Sequence, residues 1–158
     1  MDRLTALYAR WIALLEWLQA PFLLAVRLYW GGNFVLTGWG KVTHLSKITD
    51  YFASLGIPFP QANACAAATV ETVGGFLLLI GLGSRIVTVP LLFVLGVAYA
   101  TAESDSLRAI WTDPDKFTAA TPFLFALACL VVLLFGPGLL SVDAWIGCRR
   151  KKKAEALR

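Results

Sequence analysis

The 158-residue sequence contains little charge and few groups that bind metals or nucleotides. Charged residues make up 15% of the chain, there is one histidine, His44, and the three cysteines have no CxxC spacing. A single histidine without paired carboxylates gives no metal or haem site to predict. Nucleotide-binding glycine motifs, a nucleophile elbow and HExxH are also missing, so the sequence carries no signature of an autonomous soluble enzyme.

Apolar residues dominate what is present. They make up 58% of the chain, and the mean hydropathy is +0.70. A soluble domain of this size rarely exceeds half apolar, so the composition predicts a membrane protein. The length suits about four spanning helices with short loops. We therefore expect an all-α integral membrane four-helix bundle with an N-terminal amphipathic interfacial helix.

Three regions follow from the pattern of charge. Residues 1–19 repeat apolar side chains at spacings of three and four and include Arg10 and Glu16, which predicts an amphipathic helix lying on the membrane surface. Residues 20–146 form the bundle. Residues 147–158 hold six of the fourteen basic residues and predict a cytoplasmic tail against anionic lipid, with no nucleic-acid partner.

The predicted spans cover residues 21–41, 63–85, 86–102 and 118–135, with a short amphipathic helix near residues 48–55. Pro21 suits the first turn of the first span. Four spans place both termini on one side, and that side then carries nine basic residues against four on the other. The excess of positive charge predicts that both termini are cytoplasmic.

A carboxylate marks the middle of the second span. Glu71 lies in the sequence VETVGG, and a charge at that depth costs at least about 2.5 kcal/mol unless it is neutralised or paired. Gly74 and Gly75 follow directly and allow another helix backbone to approach closely. Gly81 lies later in the same run and is a further predicted packing glycine. The function of the protein therefore depends on what faces Glu71.

A stripe of cationic and small residues repeats along the first span at spacings of four and three. Its members are Arg27, Gly31, Phe34, Gly38 and Lys41. Facing lipid would be costly for the cations, so we expect this stripe to face the bundle. Asn33 lies on a neighbouring face and adds a polar group near mid-depth.

Arg27 is the predicted partner of Glu71. Counted from the inner ends of their spans at 1.5 Å per residue, the two residues differ in height by about 7 Å, within reach of their side chains. Such a pair removes two uncompensated charges. It either clamps two helices together, lines a cavity for a polar-headed amphiphile such as a quinone, or relays a proton. His44 and Lys41 lie at the outer mouth of the first helix, and an interfacial role fits His44 better than ligation.

Five segments in order resemble the DoxX family: LLAVRLYWGG, GWGK, YFASLGIPFP, VETVGGFLLLIGLGSR and GPGLLSVDAW. The resemblance covers about residues 20–146 and implies a four-helix protein of the bacterial inner membrane. Proteins of this family are similar to the small subunit of a thiosulfate:quinone oxidoreductase. The resemblance therefore also implies partners in membrane redox complexes. The residues characteristic of the family are, at their positions here, Arg27, Lys41, Glu71, Gly74, Gly75, Gly81 and Arg85.

We therefore predict an integral membrane subunit of a quinone-linked redox complex. Its polar centre would contain Arg27, Glu71, Lys41 and Asn33, and an anionic or quinoid substrate would meet the cation from the periplasmic side. A quinone is the predicted cofactor, with lipid and redox proteins as partners and an oligomer compatible with the sequence. The alternative is a non-catalytic accessory or scaffold protein that binds lipid or protein partners. A small-solute transporter is a third hypothesis.

Overall fold

The computed structural model describes residues 3–155, and the side chains of residues 3–150. The described chain is helical throughout, with short connections and no strand. Its helices are α1 (Arg3–Val26), a π-helical segment (Arg27–Gly31), α2 (Gly32–Thr43), α3 (Leu45–Ser54), α4 (Pro60–Ile80), α5 (Ser84–Thr101), α6 (Ser104–Arg108), a 3₁₀ turn (Ala109–Trp111), α7 (Pro114–Ala119), α8 (Pro122–Phe135) and α9 (Val142–Glu155).

Within residues 3–155, three helical runs are long and apolar enough to cross a membrane: Arg3–Thr43, Pro60–Ile80 and Ser84–Thr101. The predicted all-α membrane class is confirmed. The fourth predicted span, 118–135, is shorter in the structure, because α7 ends at Ala119 and the backbone is extended at Ala120. Pro122 then starts α8, whose 14 apolar residues span about 21 Å.

The sequence predicted that the helix of the first span begins at Pro21, and the structure shows that this helix begins earlier. Pro21 lies inside α1, and residues 3–43 form one continuous helical run of 41 residues. A proline removes one backbone hydrogen bond without necessarily ending an apolar helix, which accounts for the difference. The large apolar side chains of residues 4–18 are exposed, except that of Ile12, which is partly buried, and their placement at the membrane surface stays a prediction.

Close backbone contact sets the antiparallel register of α2 and α4. A Cβ on Gly38 would lie 2.5 Å from the Thr72 nitrogen, and one on Gly31 would lie 2.8 Å from the Leu79 nitrogen. From the other helix, a Cβ on Gly75 would lie 2.8 Å from the Val35 nitrogen. These three glycines therefore pack the helices as predicted, since no larger residue fits at this separation.

The other two predicted packing glycines have different neighbours. Gly74 faces α5, where an added Cβ would lie 3.2 Å from Leu91 Cδ2. Gly81 ends α4 with a φ of 77°, and Gly83 follows with a φ of 59°, left-handed values that favour glycine. This turn brings α5 back beside α4. The core then forms from Phe34, Leu78, Leu91, Leu95, Cys129 and Val132.

Candidate functional site

Glu71 is buried, and its partner is Lys41. The Lys41 ammonium donates a hydrogen bond to Glu71 Oε1 and forms an ion pair with it. Glu71 is 5% exposed, whereas 27% of the Lys41 side chain is accessible. The pair removes the cost of two isolated charges within an apolar bundle. The predicted stripe does face the bundle, and its last member carries the cation that Glu71 needs.

The predicted Arg27–Glu71 pair is wrong. In the register set by the glycines, Glu71 lies beside Gly38, and Arg27 is eleven residues earlier, about 16 Å along the helix. Arg27 instead lies beside Gly81. The height estimate failed because it took Pro21 as the inner end of the helix.

Arg27 closes the end of the bundle near Gly81. It is 1% exposed and donates from Nη2 to the Leu140 carbonyl, while Nε and Nη1 have no partner among the described residues. Asp143 acts on it electrostatically. The Asp143 carboxylate also accepts hydrogen bonds from the backbone nitrogens of Gly83 at 2.8 Å and Ser84 at 3.1 Å, capping α5. These bonds join the first span to the segment before α9, through Leu140, and the α4–α5 turn to the first turn of α9, through Asp143.

Arg85 has a comparable structural contact at the same end. Its Nη2 donates to the Leu134 carbonyl at 3.2 Å, and its guanidinium lies next to Gly136. Both arginines therefore satisfy carbonyls near the end of α8 and in the segment that follows, where helical hydrogen bonding stops. Neither lies beside Glu71.

An apolar cavity of about 350 Å³ adjoins the Lys41–Glu71 pair. It lies between α3, α4 and α5 and includes the apolar face of α3 that the sequence predicted. Its wall contains Lys41 and Glu71 together with Ile48, Tyr51, Phe52, Leu55, Val70, Pro90, Phe93 and Val94. This cavity, called the larger cavity below, thus combines aromatic and aliphatic walls with one ion pair.

A second cavity of about 210 Å³ lies on the other side of the pair, between α2, α5 and α8. Its wall contains Thr37, Glu103, Thr121 and Phe125. Lys41, Glu71, Ala98 and Ala102 line both this smaller cavity and the larger one. The ion pair is therefore the boundary between the two cavities.

Glu71 keeps one oxygen available for a further hydrogen bond. Oε1 accepts from Lys41, but Oε2 is buried and has no partner among the described residues. A buried carboxylate oxygen is nearly always hydrogen-bonded in proteins, so this atom calls for a donor from water or from a ligand. The site can accept a hydrogen bond at Glu71 and donate one from Lys41.

Two residues considered from the sequence lie outside the site. Asn33 Nδ2 donates to the Tyr29 carbonyl of its own helix at 2.7 Å, which satisfies the amide without Glu71. The His44 ring contacts the Gly40 carbonyl at 3.1 Å at the exposed end of α2. Glu103 lines the smaller cavity but was not predicted as a site residue, because its position just after a span is typical of an ordinary loop acid.

Comparison with known proteins agrees with the membrane class. The sequence profile of the DoxX family matches residues 22–104, a range that includes both Lys41 and Glu71. The inner membrane protein YphA of Escherichia coli (strain K12) is 27% identical over 111 residues, which cover 70% of this chain and 79% of that protein. No solved structure matches this chain.

Proposed function

The chain belongs to the DoxX family of bacterial inner-membrane proteins, and from that premise we propose that it is a membrane subunit of a quinone-linked redox complex. The quinone headgroup would bind in the larger cavity beside Lys41 and Glu71. The observation that carries the proposal is a buried carboxylate oxygen, in the wall of an apolar cavity, that has no partner among the described residues.

The chemistry of the cavity suits a quinone and its reduced form. An ammonium donates to a quinone carbonyl, and a carboxylate accepts from a quinol hydroxyl, so Lys41 and Glu71 together match both states. Tyr51, Phe52 and Phe93 offer ring surfaces for a headgroup. The volume is at the lower end of the range of roughly 300–1,000 Å³ for small-molecule sites.

Electrons would reach this site from a partner protein that oxidises thiosulfate or a thiol. Reduction of a quinone to a quinol takes up two electrons and two protons. In this division of labour, the present chain binds and orients the headgroup and passes protons at Glu71. The open Glu71 oxygen favours a neutral headgroup with a hydroxyl over the anionic substrate that the sequence left as an alternative, because two anions repel at short range.

Orientation in the membrane forms part of the proposal. The excess of basic residues on the side of the termini supports cytoplasmic termini. The Arg27 end would then be cytoplasmic, and the α3 end, with Lys41, would lie toward the periplasm.

The test is native mass spectrometry of the protein extracted gently from its own membrane, with bound small molecules released and identified. We expect quinone on the wild type and on Asp50→Asn, an exposed acid of α3 that lines neither cavity. We expect little or none on Glu71→Gln or Lys41→Met. Quinone retained equally by all four proteins, or absent from all of them, would refute this placement.

A non-catalytic accessory protein is the second candidate, and a specific feature favours it. The face of α1 formed by Leu4, Leu7, Trp11 and Leu14 is exposed, which suits contact with lipid or a partner helix. This function predicts that a protein co-purifies without quinone. It also predicts that changes at Glu71 alter stability and leave quinone turnover in the membrane unchanged.

A further inference from the structure

The smaller cavity has the polar groups and the access that ordered water needs. Thr37, Lys41, Glu71 and Glu103 supply donors and acceptors along its wall, and its volume of about 210 Å³ far exceeds the space of one water molecule. Thr121, beside Glu103 in the wall, is exposed. The cavity thus extends from the buried ion pair to the surface where α5 ends.

Glu103 is held in place at this surface. Its Oε2 accepts a hydrogen bond from Ser106 Oγ at 2.9 Å, and Ser106 is itself 5% exposed. A carboxylate positioned by a buried hydroxyl has a defined orientation, unlike a free loop acid. It lines the same cavity as Glu71, whose Oε2 lacks a partner among the described residues.

We propose that the smaller cavity is a hydrated proton passage that joins the Lys41–Glu71 pair to the surface at the end of α5, with Glu103 at its entrance. Water in the passage donates to Glu71 Oε2. A proton taken from solvent moves through that water to the Glu71 carboxylate. Glu71 then gives the proton to the headgroup that is reduced in the larger cavity and becomes a carboxylate again. The larger cavity then holds the apolar ligand, and the smaller one holds water.

This role rests on the proposed function, in which each quinone reduced takes up two protons. The passage itself does not require a quinone. Its existence can therefore be tested in the protein alone, by the reactivity of engineered thiols toward charged reagents that lipid excludes.

The first measurement compares Thr37→Cys with Leu36→Cys in protein reconstituted in lipid nanodiscs. The background carries Cys65→Ser and Cys148→Ser and retains the buried Cys129. Positions 36 and 37 are at the same depth and both side chains are exposed, but Thr37 lines the smaller cavity and Leu36 lines neither cavity. Since charged thiol reagents react with the thiolate in water, we expect position 37 to react at least about tenfold faster.

The second measurement tests Glu103 through charge selectivity. At Thr37→Cys, we expect a cationic methanethiosulfonate to react faster than an anionic one, because both pass the Glu103 carboxylate. A unit charge about 6 Å away in water changes the local ion concentration about threefold, so Glu103→Gln should lower the cation-to-anion rate ratio about tenfold. Asp105→Asn is the matched control, since Asp105 is exposed and lines neither cavity.

Equal labelling of positions 36 and 37 would overturn the passage. If position 37 is labelled faster but Glu103→Gln leaves the cation-to-anion rate ratio unchanged, Glu103 does not lie at the entrance of the passage. Both results are independent of quinone. Labelling as expected in a protein that binds no quinone would leave the passage standing and refute the proposed function alone.

Discussion

Gly38→Ala should separate the two helices that hold the ion pair. The added Cβ would lie 2.5 Å from both the nitrogen and Oγ1 of Thr72. Ordinary contact begins at 3.4 Å, so α2 must move away from α4 by about 0.9 Å, the difference between the two distances. The Thr72 nitrogen belongs to the backbone of α4 and cannot rotate away. Lys41, one turn further along α2, then moves away from Glu71.

Gly40→Ala is the matched control on the same helix, because a Cβ there meets nothing within 4 Å. Alanine in a helix interior gains roughly 0.5–1 kcal/mol over glycine, and both variants receive this gain. Overpacking costs about 1–3 kcal/mol, and only Gly38→Ala incurs it. The difference in the free energy of unfolding between the two variants is therefore expected to be about 1–3 kcal/mol, with Gly38→Ala the less stable.

The assay is reversible unfolding in mixed micelles of mild detergent and sodium dodecyl sulfate, followed by circular dichroism. The same samples report retained quinone after mild extraction, and we expect Gly38→Ala to lose it while Gly40→Ala keeps it. If Gly38→Ala is as stable as Gly40→Ala, the α2–α4 contact is looser than described. In that case the register argument for Lys41 and Glu71 fails with it.

Two further predictions use the same unfolding assay. Asp143→Ala removes the acceptor of the Gly83 and Ser84 backbone nitrogens and should lower the free energy of unfolding by about 1–2 kcal/mol. Asp50→Ala, at an exposed position, should change it by less than about 0.5 kcal/mol. Equal effects of the two substitutions would argue against the cap. Lys41→Met leaves the Glu71 carboxylate buried without its partner and should cost about 3–5 kcal/mol. Adding Glu71→Gln should restore most of that loss, and a double variant no more stable than Lys41→Met would contradict the ion pair.

The sequence was sufficient to predict the class of fold and the faces of the helices. These predictions depend on local spacing, which is preserved in the folded helix. They rest on hydropathy, on the stripe from Arg27 to Lys41 and on the glycines at positions 31, 38 and 75. The amphipathic helix near residues 48–55 was also predicted correctly and forms α3. The structure adds that its apolar face lines the larger cavity.

The partner of Glu71 could not be predicted in the same way, because it depends on the offset between two helices. Both Arg27 and Lys41 lie on the correct face, and one helix run separates them by fourteen residues, about 21 Å. Treating Pro21 as a helix start shifted the estimate toward Arg27. The close contacts of Gly38 with α4 fix the offset, and they favour Lys41. Glu103 was missed because no local sequence pattern marks it; only the folding of the chain brings it to the cavity beside Glu71.

The two buried polar centres differ in a way that bears on function. Arg27 binds a backbone carbonyl and lies near Asp143, whose carboxylate caps α5, so its contacts serve to close the bundle. Lys41 and Glu71 bind only each other in the described structure and lie beside two cavities. Both centres keep buried atoms without a partner among the described residues, Glu71 Oε2 in one and Arg27 Nε and Nη1 in the other, so the adjoining cavities are what distinguishes the Lys41–Glu71 pair. If stability alone were required at that depth, apolar side chains of similar volume would serve as well or better. The cost of keeping an ion pair there is therefore best explained by a ligand or a proton that uses it.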